Sequence, residues 1–234
     1  MTATVFRSTF GLILSLALAA PLAAAVAQAR DTVRELRVEI SITARRLVVV
    51  DTTGDTTYTA PVAVGSGRTL ETADRTWKFR TPVGVTKVVA KETDPVWVPP
   101  DWHYVEVARE HGLQLDRLNP GAMVVLSSDR LLVVSGKDIG LVGDDGLFVP
   151  LPPDEEIVFD GTLFIPPFGT AQRRVAGVLG PYRLLLGNGI GLHGTPDQAS
   201  IGKAVTHGCI RLKDADITWL YESIPIGTKV VITP

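Results

Sequence analysis

The chain has 234 residues, 45% of them apolar, with 22 glycines, 16 prolines and a formal net charge of −2. That length bounds the reading to one domain, or one domain with a sizeable insertion, and the near-neutral charge excludes the electrostatic footprint of a nucleic-acid binder. The apolar fraction with abundant Gly and Pro describes a compact, turn-rich β protein rather than a disordered chain.

The N-terminus reads as an export signal. Arg7 is the only charge before Arg30, residues 10–26 are apolar or small, and Ala25-Val26-Ala27 and Ala27-Gln28-Ala29 both fit a small-x-small cleavage site. Residues 1–29 are therefore expected to be a signal peptide. The rival reading is an uncleaved membrane anchor, for which the run is slightly short of the ~20 residues a span needs. Export changes the meaning of Cys209, the only cysteine. Exported proteins usually hold cysteines as disulfides; a lone one is buried and inert, joined to another chain, or a reactive thiol.

Strand patterns follow in chain order at 36–43 (LRVEISIT), 45–51 (RRLVVVD), 56–65 (TTYTAPVAVG) and 81–93 (TPVGVTKVVAKET), with Gly54-Asp55 at a turn. Residues 94–102 (DPVWVPPDW) hold too much proline for a central strand. Within 103–119, Val107, Glu110 and His111 share a helical face and Gly112 is a plausible stop. From 123 to 170, apolar runs alternate with Gly-Asp and Pro-Pro punctuation, which predicts short strands and turns. Residues 184–186 read as a strand, followed by a Gly187-Asn188-Gly189 turn. Asp214 is a candidate N-cap for a helix whose Ile217, Leu220, Tyr221 and Ile224 form one apolar face. Pro225 ends that helix, and 227–232 is a final strand. No repeat recurs at a regular period.

The stretch 190–212, IGLHGTPDQASIGKAVTHGCIRL, holds two of the four histidines and the only cysteine. A free thiol titrates at ~8.5, so little is thiolate at neutral pH, and a nearby imidazole can take its proton. Attack on a carbonyl creates an oxyanion, which needs donors already in place, and glycine lets backbone N–H groups come close. Cys209 is thus the candidate nucleophile, the N–H groups of Gly208 and Cys209 are candidate oxyanion donors, and His193 is the candidate base. Residues 195–205 are expected to bring His193 back to Cys209 across a hairpin. Two other readings stand beside this one. One is a core cysteine near a satisfied polar histidine. The other is a zinc site, because His193, His207 and Cys209 are all ligand types; no fourth ligand lies at a recognised spacing, and no metal or other cofactor is expected.

His193-Gly194, a spacer, and Thr206-His207-Gly208-Cys209-Ile210-Arg211 together resemble the signature of the L,D-transpeptidases, the YkuD-type catalytic domain. ISITARRLVVVD, PVAVGSG, TPVGVTKV, GVLGPYRLLLGNGIGLHGT and IPIGTKVVI are similar to other parts of that domain, so the likeness covers about 36–102 and 176–232. It implies a mostly β, YkuD-like β-sandwich with one or two short helices. The catalytic domain would run over 36–232, with a folded insertion at about 103–175 that holds neither nucleophile nor base.

The resemblance further implies a reaction. Cys209 attacks a peptidoglycan stem peptide after its third residue, a diamino acid, and the terminal D-alanine leaves as a thioester acyl-enzyme forms. An amine on a second stem resolves the thioester into a cross-link. His193 is then proton acceptor and donor, and the Gly194 carbonyl orients it. His207 is a supporting or substrate-side residue, and Arg211 binds a substrate carboxylate or braces the loop. Stem peptides are donor and acceptor, carbapenem-type β-lactams are inhibitors, and nucleic acid is not a partner. The expected location is the periplasm or cell-wall compartment of a bacterium, in association with membrane or wall. Two other functions stay open: the same thiol used as a hydrolase or amidase on wall-linked peptides, and a non-catalytic wall-binding module.

Overall fold

The computed structural model describes residues 35–234; the signal-peptide assignment lies outside the described residues. Eight strands form one sheet: β1 (Arg37–Ser41), β2 (Arg46–Val50), β3 (Thr56–Pro61), β4 (Gly84–Thr93), β5 (Tyr182–Leu186), β6 (Gly191–His193), β7 (Ile210–Arg211) and β8 (Lys229–Thr233). Their order is β7-β6-β5-β4-β8-β1-β2-β3. Period-2 alternation sends Val38 and Ile40, Leu47 and Val49, Leu184 and Leu186, and Val230 and Ile232 to one side, where all are buried.

The sheet curls until its ends meet. Ala63, just beyond β3, and Arg211 in β7 exchange both backbone hydrogen bonds, at 2.9 and 3.0 Å. The expected mostly β fold is built on one eight-stranded sheet folded on itself around its own core. Among the described residues two α-helices complete it, α1 (Asp101–His111) and α2 (Asp214–Ser223).

Helix α2 lays the expected face against that core: Ile217, Leu220 and Ile224 are fully buried and Tyr221 is half-buried. Its start differs from the reading of Asp214 as N-cap. Lys213 holds the N-cap position without a side-chain cap, and Asp214 is the first helical residue. Its carboxylate is used elsewhere, against Gly194 and Thr195.

Residues 101–175 build their own small layers. Phe148–Pro150, Asp138–Val142, Leu131–Ser135 and Met123–Val125 pair as a four-stranded sheet, while Ile157–Phe159, Thr162–Ile165 and Gln114–Arg117 pair as a three-stranded one. A second core of Leu118, Leu126, Leu132, Val134, Ile139, Ile157 and Phe164 lies under them. Helix α1 begins two residues before the helical stretch expected from 103 and stops at Gly112, which takes the left-handed φ of 65°. It is a wedge. Tyr104 and Ala108 pack on Leu163 and Ile165, whereas Val105 packs on Leu70 and Phe79 next to the hairpin formed by Thr69–Glu71 and Thr76–Lys78.

Candidate active site

Strand β6 lies between β5 and β7 and pairs parallel with β7, Leu192 opposite Ile210 and His193 opposite Arg211. The expected hairpin between His193 and Cys209 is thus a crossover. Residues 204–206 pair with Val64–Gly65, so the chain re-enters beside β6 running in the same direction. Directly paired residues share a face of the sheet. Leu184, Leu192 and Ile210 form a row into the core. Glu92, Arg183, His193 and Arg211 form the adjacent row on the opposite face. Cys209 precedes β7, and it lines one cavity together with Arg183, His193, His207 and Arg211.

His193 is buried, and its Nδ1 lies 2.6 Å from the carbonyl oxygen of Gly194. A carbonyl only accepts, so Nδ1 carries the proton and Nε2 is the lone-pair nitrogen of the neutral ring. Burial pushes the imidazole down to about 4; the Gly194 carbonyl opposes this, and the Arg211 and Arg183 cations add to it. The ring is therefore neutral, with a free base nitrogen, across the neutral pH range. Gly194 itself is held tightly: a Cβ there would lie 2.5 Å from Asp214 Oδ1 and 3.0 Å from the Cα of Gly180.

The nucleophile loop is fixed by two threonines. Thr206 Oγ1 donates to the Cys209 carbonyl at 2.6 Å and accepts the Gly208 N–H at 3.2 Å. Thr81 Oγ1 donates to the Gly208 carbonyl at 2.9 Å and accepts the Gly65 N–H at 2.8 Å. Gly208 has φ +133°, a conformation L side chains rarely adopt, and a Cβ there would sit 3.2 Å from the Arg80 carbonyl oxygen. That backbone turn leaves Cys209 half-buried at the cavity wall.

The cavity measures about 590 Å³. One wall comes from the sheet row and the nucleophile loop. The other comes from the proline-rich stretch and α1, including Trp97, Trp102, His103 and Glu106. His207 Nε2 is 2.7 Å from Glu106 Oε2, and burial lowers the His207 pKa against the pull of that carboxylate. Arg183 donates to Glu92 through Nε at 2.8 Å and Nη2 at 2.5 Å. Arg211 has only a loose partner, Asp197 at 3.8 Å from Nη1. Among the described residues, no group of three or more His, Cys, Asp or Glu is arranged to hold a metal ion.

The structure thus brings together all six residues singled out in the sequence: Cys209, His193, His207, Gly208, Gly194 and Arg211. Four contributors lie outside the motif. Arg183, Glu92 and Asp214 look in sequence like ordinary charges on strands and a helix, and Glu106 like one acid among several. Trp97 and Trp102, which also line the cavity, stand in the proline-rich stretch that reads in sequence only as unsuited to a central strand.

The chain matches the family model of the L,D-transpeptidase catalytic domain, YkuD, over residues 35–232. It is 28% identical over 203 residues to the probable L,D-transpeptidase ErfK/SrfK of Salmonella typhimurium (strain LT2), covering 86% of this chain and 45% of that protein. It is 44% identical over 52 residues to the probable L,D-transpeptidase YbiS of Escherichia coli (strain K12), covering 22% of this chain and 17% of the relative. The chain therefore spans less than half the length of these curated relatives. Among solved structures, an L,D-transpeptidase (residues 123–326) from Xylanimonas cellulosilytica aligns with a TM-score of 0.43 and 18% identity, over 91% of this chain and 70% of that one. L,D-transpeptidase 3 from Mycobacterium tuberculosis, in complex with a faropenem-derived adduct, aligns with a TM-score of 0.44 and 17% identity, over 86% and 61%. With the family model spanning nearly every described residue, including both the histidine strand and the cysteine loop, this chain belongs to the L,D-transpeptidase (YkuD) catalytic-domain family.

Proposed function

We propose that the chain is an exported cysteine L,D-transpeptidase that cross-links peptidoglycan stem peptides. The observation that carries this reading is a cavity lined by both Cys209 and a buried, neutral His193 whose Nδ1–H is committed to the Gly194 carbonyl. The Cys209 thiol gives its proton to His193 Nε2 as Sγ attacks the carbonyl of the third stem residue. The backbone N–H of Cys209 is the candidate donor to the oxyanion; the Gly208 N–H, the other donor expected from the sequence, is already given to Thr206 Oγ1. Collapse of the tetrahedral intermediate breaks the peptide bond, His193 passes the proton to the departing amine of D-alanine, and a thioester remains. The neutral amine of a second stem then attacks the thioester. His193 takes its proton and returns it to the leaving Cys209 sulfur, so the enzyme is regenerated and one amide replaces another.

The charges around the cavity support a carboxylate-bearing substrate. Arg211 lines it with no close carboxylate partner, whereas Arg183, one strand away on the other side of His193, is already paired with Glu92. Stem peptides carry free carboxylates, and a planar guanidinium matches them. The same thiol is expected to open carbapenem-type β-lactams and hold them as an adduct.

The test is product analysis by mass spectrometry on defined tetrapeptide muropeptides. The expected products are a cross-linked dimer and free D-alanine. Tripeptide with D-alanine and no dimer would make the chain a hydrolase, and no turnover with an unreactive thiol would make it a binding module. Export is checked by fractionation, with the mature protein expected outside the cytoplasm.

A further inference from the structure

Helix α1 delivers a carboxylate to the nucleophile loop. Glu106 Oε2 meets His207 Nε2 at 2.7 Å across 101 residues of sequence, and Glu106 Oε1 accepts from Arg68 Nη2 at 2.9 Å. One helical turn earlier, on the same face, Trp102 lies flat on the imidazole, with ring centroids 3.8 Å apart and planes 13° from parallel. Phe79 closes the edge at 4.3 Å. An ionised carboxylate only accepts, so His207 Nε2 carries the proton. The ring is thus left with one orientation and one place for its proton.

The consequence lies in the next two residues. Thr81 and Thr206 hold Gly208 and the Cys209 carbonyl through their hydroxyls. His207, between Thr206 and Gly208 in the chain, is a further anchor, and Cys209 with its N–H lies just beyond. The helix that provides this anchor is itself rigidly placed: Val105 is buried on Leu70 and Phe79, Tyr104 and Ala108 on Leu163 and Ile165.

We infer that Glu106 and Trp102 are positioning residues for the nucleophile: by clamping His207 they fix the Gly208–Cys209 backbone against which the oxyanion forms. This rests on the acyl-transfer reading of Cys209. It makes α1 part of the first chemical step for every acyl donor, small or large. A segment that only shaped a groove for long substrates would leave reaction with a small drug untouched.

The experiment uses the full chain and a carbapenem, with adduct at Cys209 followed by intact mass. Glu106→Ala is expected to slow acylation on the order of tenfold, the effect of losing a hydrogen bond to a charged group. Glu106→Gln keeps a carbonyl oxygen that accepts the Nε2–H and should recover most of the rate. Val125→Ser, exposed on the far sheet of the same segment, should match the wild type. Imidazole nitrogen shifts read the clamp directly: His207 should show Nε2–H in the wild type and Glu106→Gln, and a mixture of tautomers in Glu106→Ala.

Wild-type acylation of Glu106→Ala, or a Glu106→Gln as slow as Glu106→Ala, overturns the proposal; the second result would make charge the cause instead of placement. Should Glu106→Ala fail to fold, Trp102→Leu takes its place, expected slow, with a wild-type rate counting against the clamp. If the wild-type chain takes no carbapenem, the acyl-transfer reading falls, and an unchanged His207 tautomer in Glu106→Ala would separately refute the clamp.

Discussion

The Asp214 carboxylate accepts the backbone N–H of Thr195 at 3.2 Å, tying the first turn of α2 to the chain as it leaves His193. An acid in a first helical turn is favoured by the helix dipole, and here the same group fixes the turn whose Gly194 carbonyl holds the base. Gly194 is packed so closely under it that a methyl group would land 2.5 Å from Asp214 Oδ1. Gly194→Ala should therefore lose ~1–3 kcal/mol of stability through overpacking and acylate more slowly, as read by urea denaturation and by intact mass with a carbapenem. A variant of wild-type stability and rate would show that this contact has no role in holding the base.

The nucleophile and the two histidines should separate by size of effect. Cys209→Ala is expected to fold normally and form no adduct, and Cys209→Ser to be nearly inactive, because a hydroxyl is far harder to deprotonate than a thiol. His193→Ala should cost about 10²–10⁴-fold, the range of general acid–base catalysis. His207→Ala should cost less, since its ring is engaged by Glu106. The reverse ranking, measured as single-turnover acylation rates, would exchange their roles.

The pH dependence follows from burial of His193. Burial holds its folded pKa down at about 4, so the base form survives well below the ordinary histidine value of ~6.5. The acid limb of carbapenem acylation should lie near 4, and a limb near ~6.5 would remove His193 as the base. Stability moves in the same window. The unfolded chain takes up this proton first, so the His193 contribution is fully present above ~6.5 and is lost progressively as pH falls toward about 4. His193→Gln should show a smaller drop in urea midpoint than the wild type across that interval.

The placement of α1 depends on a buried guanidinium. Arg173 has no exposed surface; it donates to the carbonyls of Pro99 at 2.9 Å and Pro166 at 2.7 Å and to Asp101 at 2.6 Å. It also lies 3.7 Å from the centroid of the Phe168 ring. Asp101 is shared with Arg117 at 2.5 Å. Arg173→Ala should cost ~3 kcal/mol, since three acceptors lose their donor in a closed site. Arg173→Lys should recover little, because a compact ammonium cannot reproduce a planar fork. Guanidinium denaturation checks both; full recovery by lysine would show that charge alone suffices.

The sequence by itself determined what depends on neighbours along the chain. Alternation placed the inward residues of β1, β2, β5 and β8, the i, i+3, i+4, i+7 spacing placed the buried face of α2, and Gly112 ended α1. The His-Gly and Thr-His-Gly-Cys segments named the candidate base and nucleophile because a thiol, an imidazole and adjacent backbone donors are a local requirement of the chemistry. Sheet register and helix docking could not be read that way. His193 meets Cys209 through a parallel pairing of β6 and β7 rather than a hairpin, and Arg183 joins the site only because it falls opposite His193 on β5. Glu106 reaches His207 across 101 residues, and Asp214 reaches Thr195 across 19. Each of these side chains has an ordinary local context, a surface acid or a strand arginine. Only when the curled sheet buries its core and α1 wedges against it do these side chains come within hydrogen-bonding distance of their distant partners, because register and docking are set by burial of the core and not by neighbours along the chain.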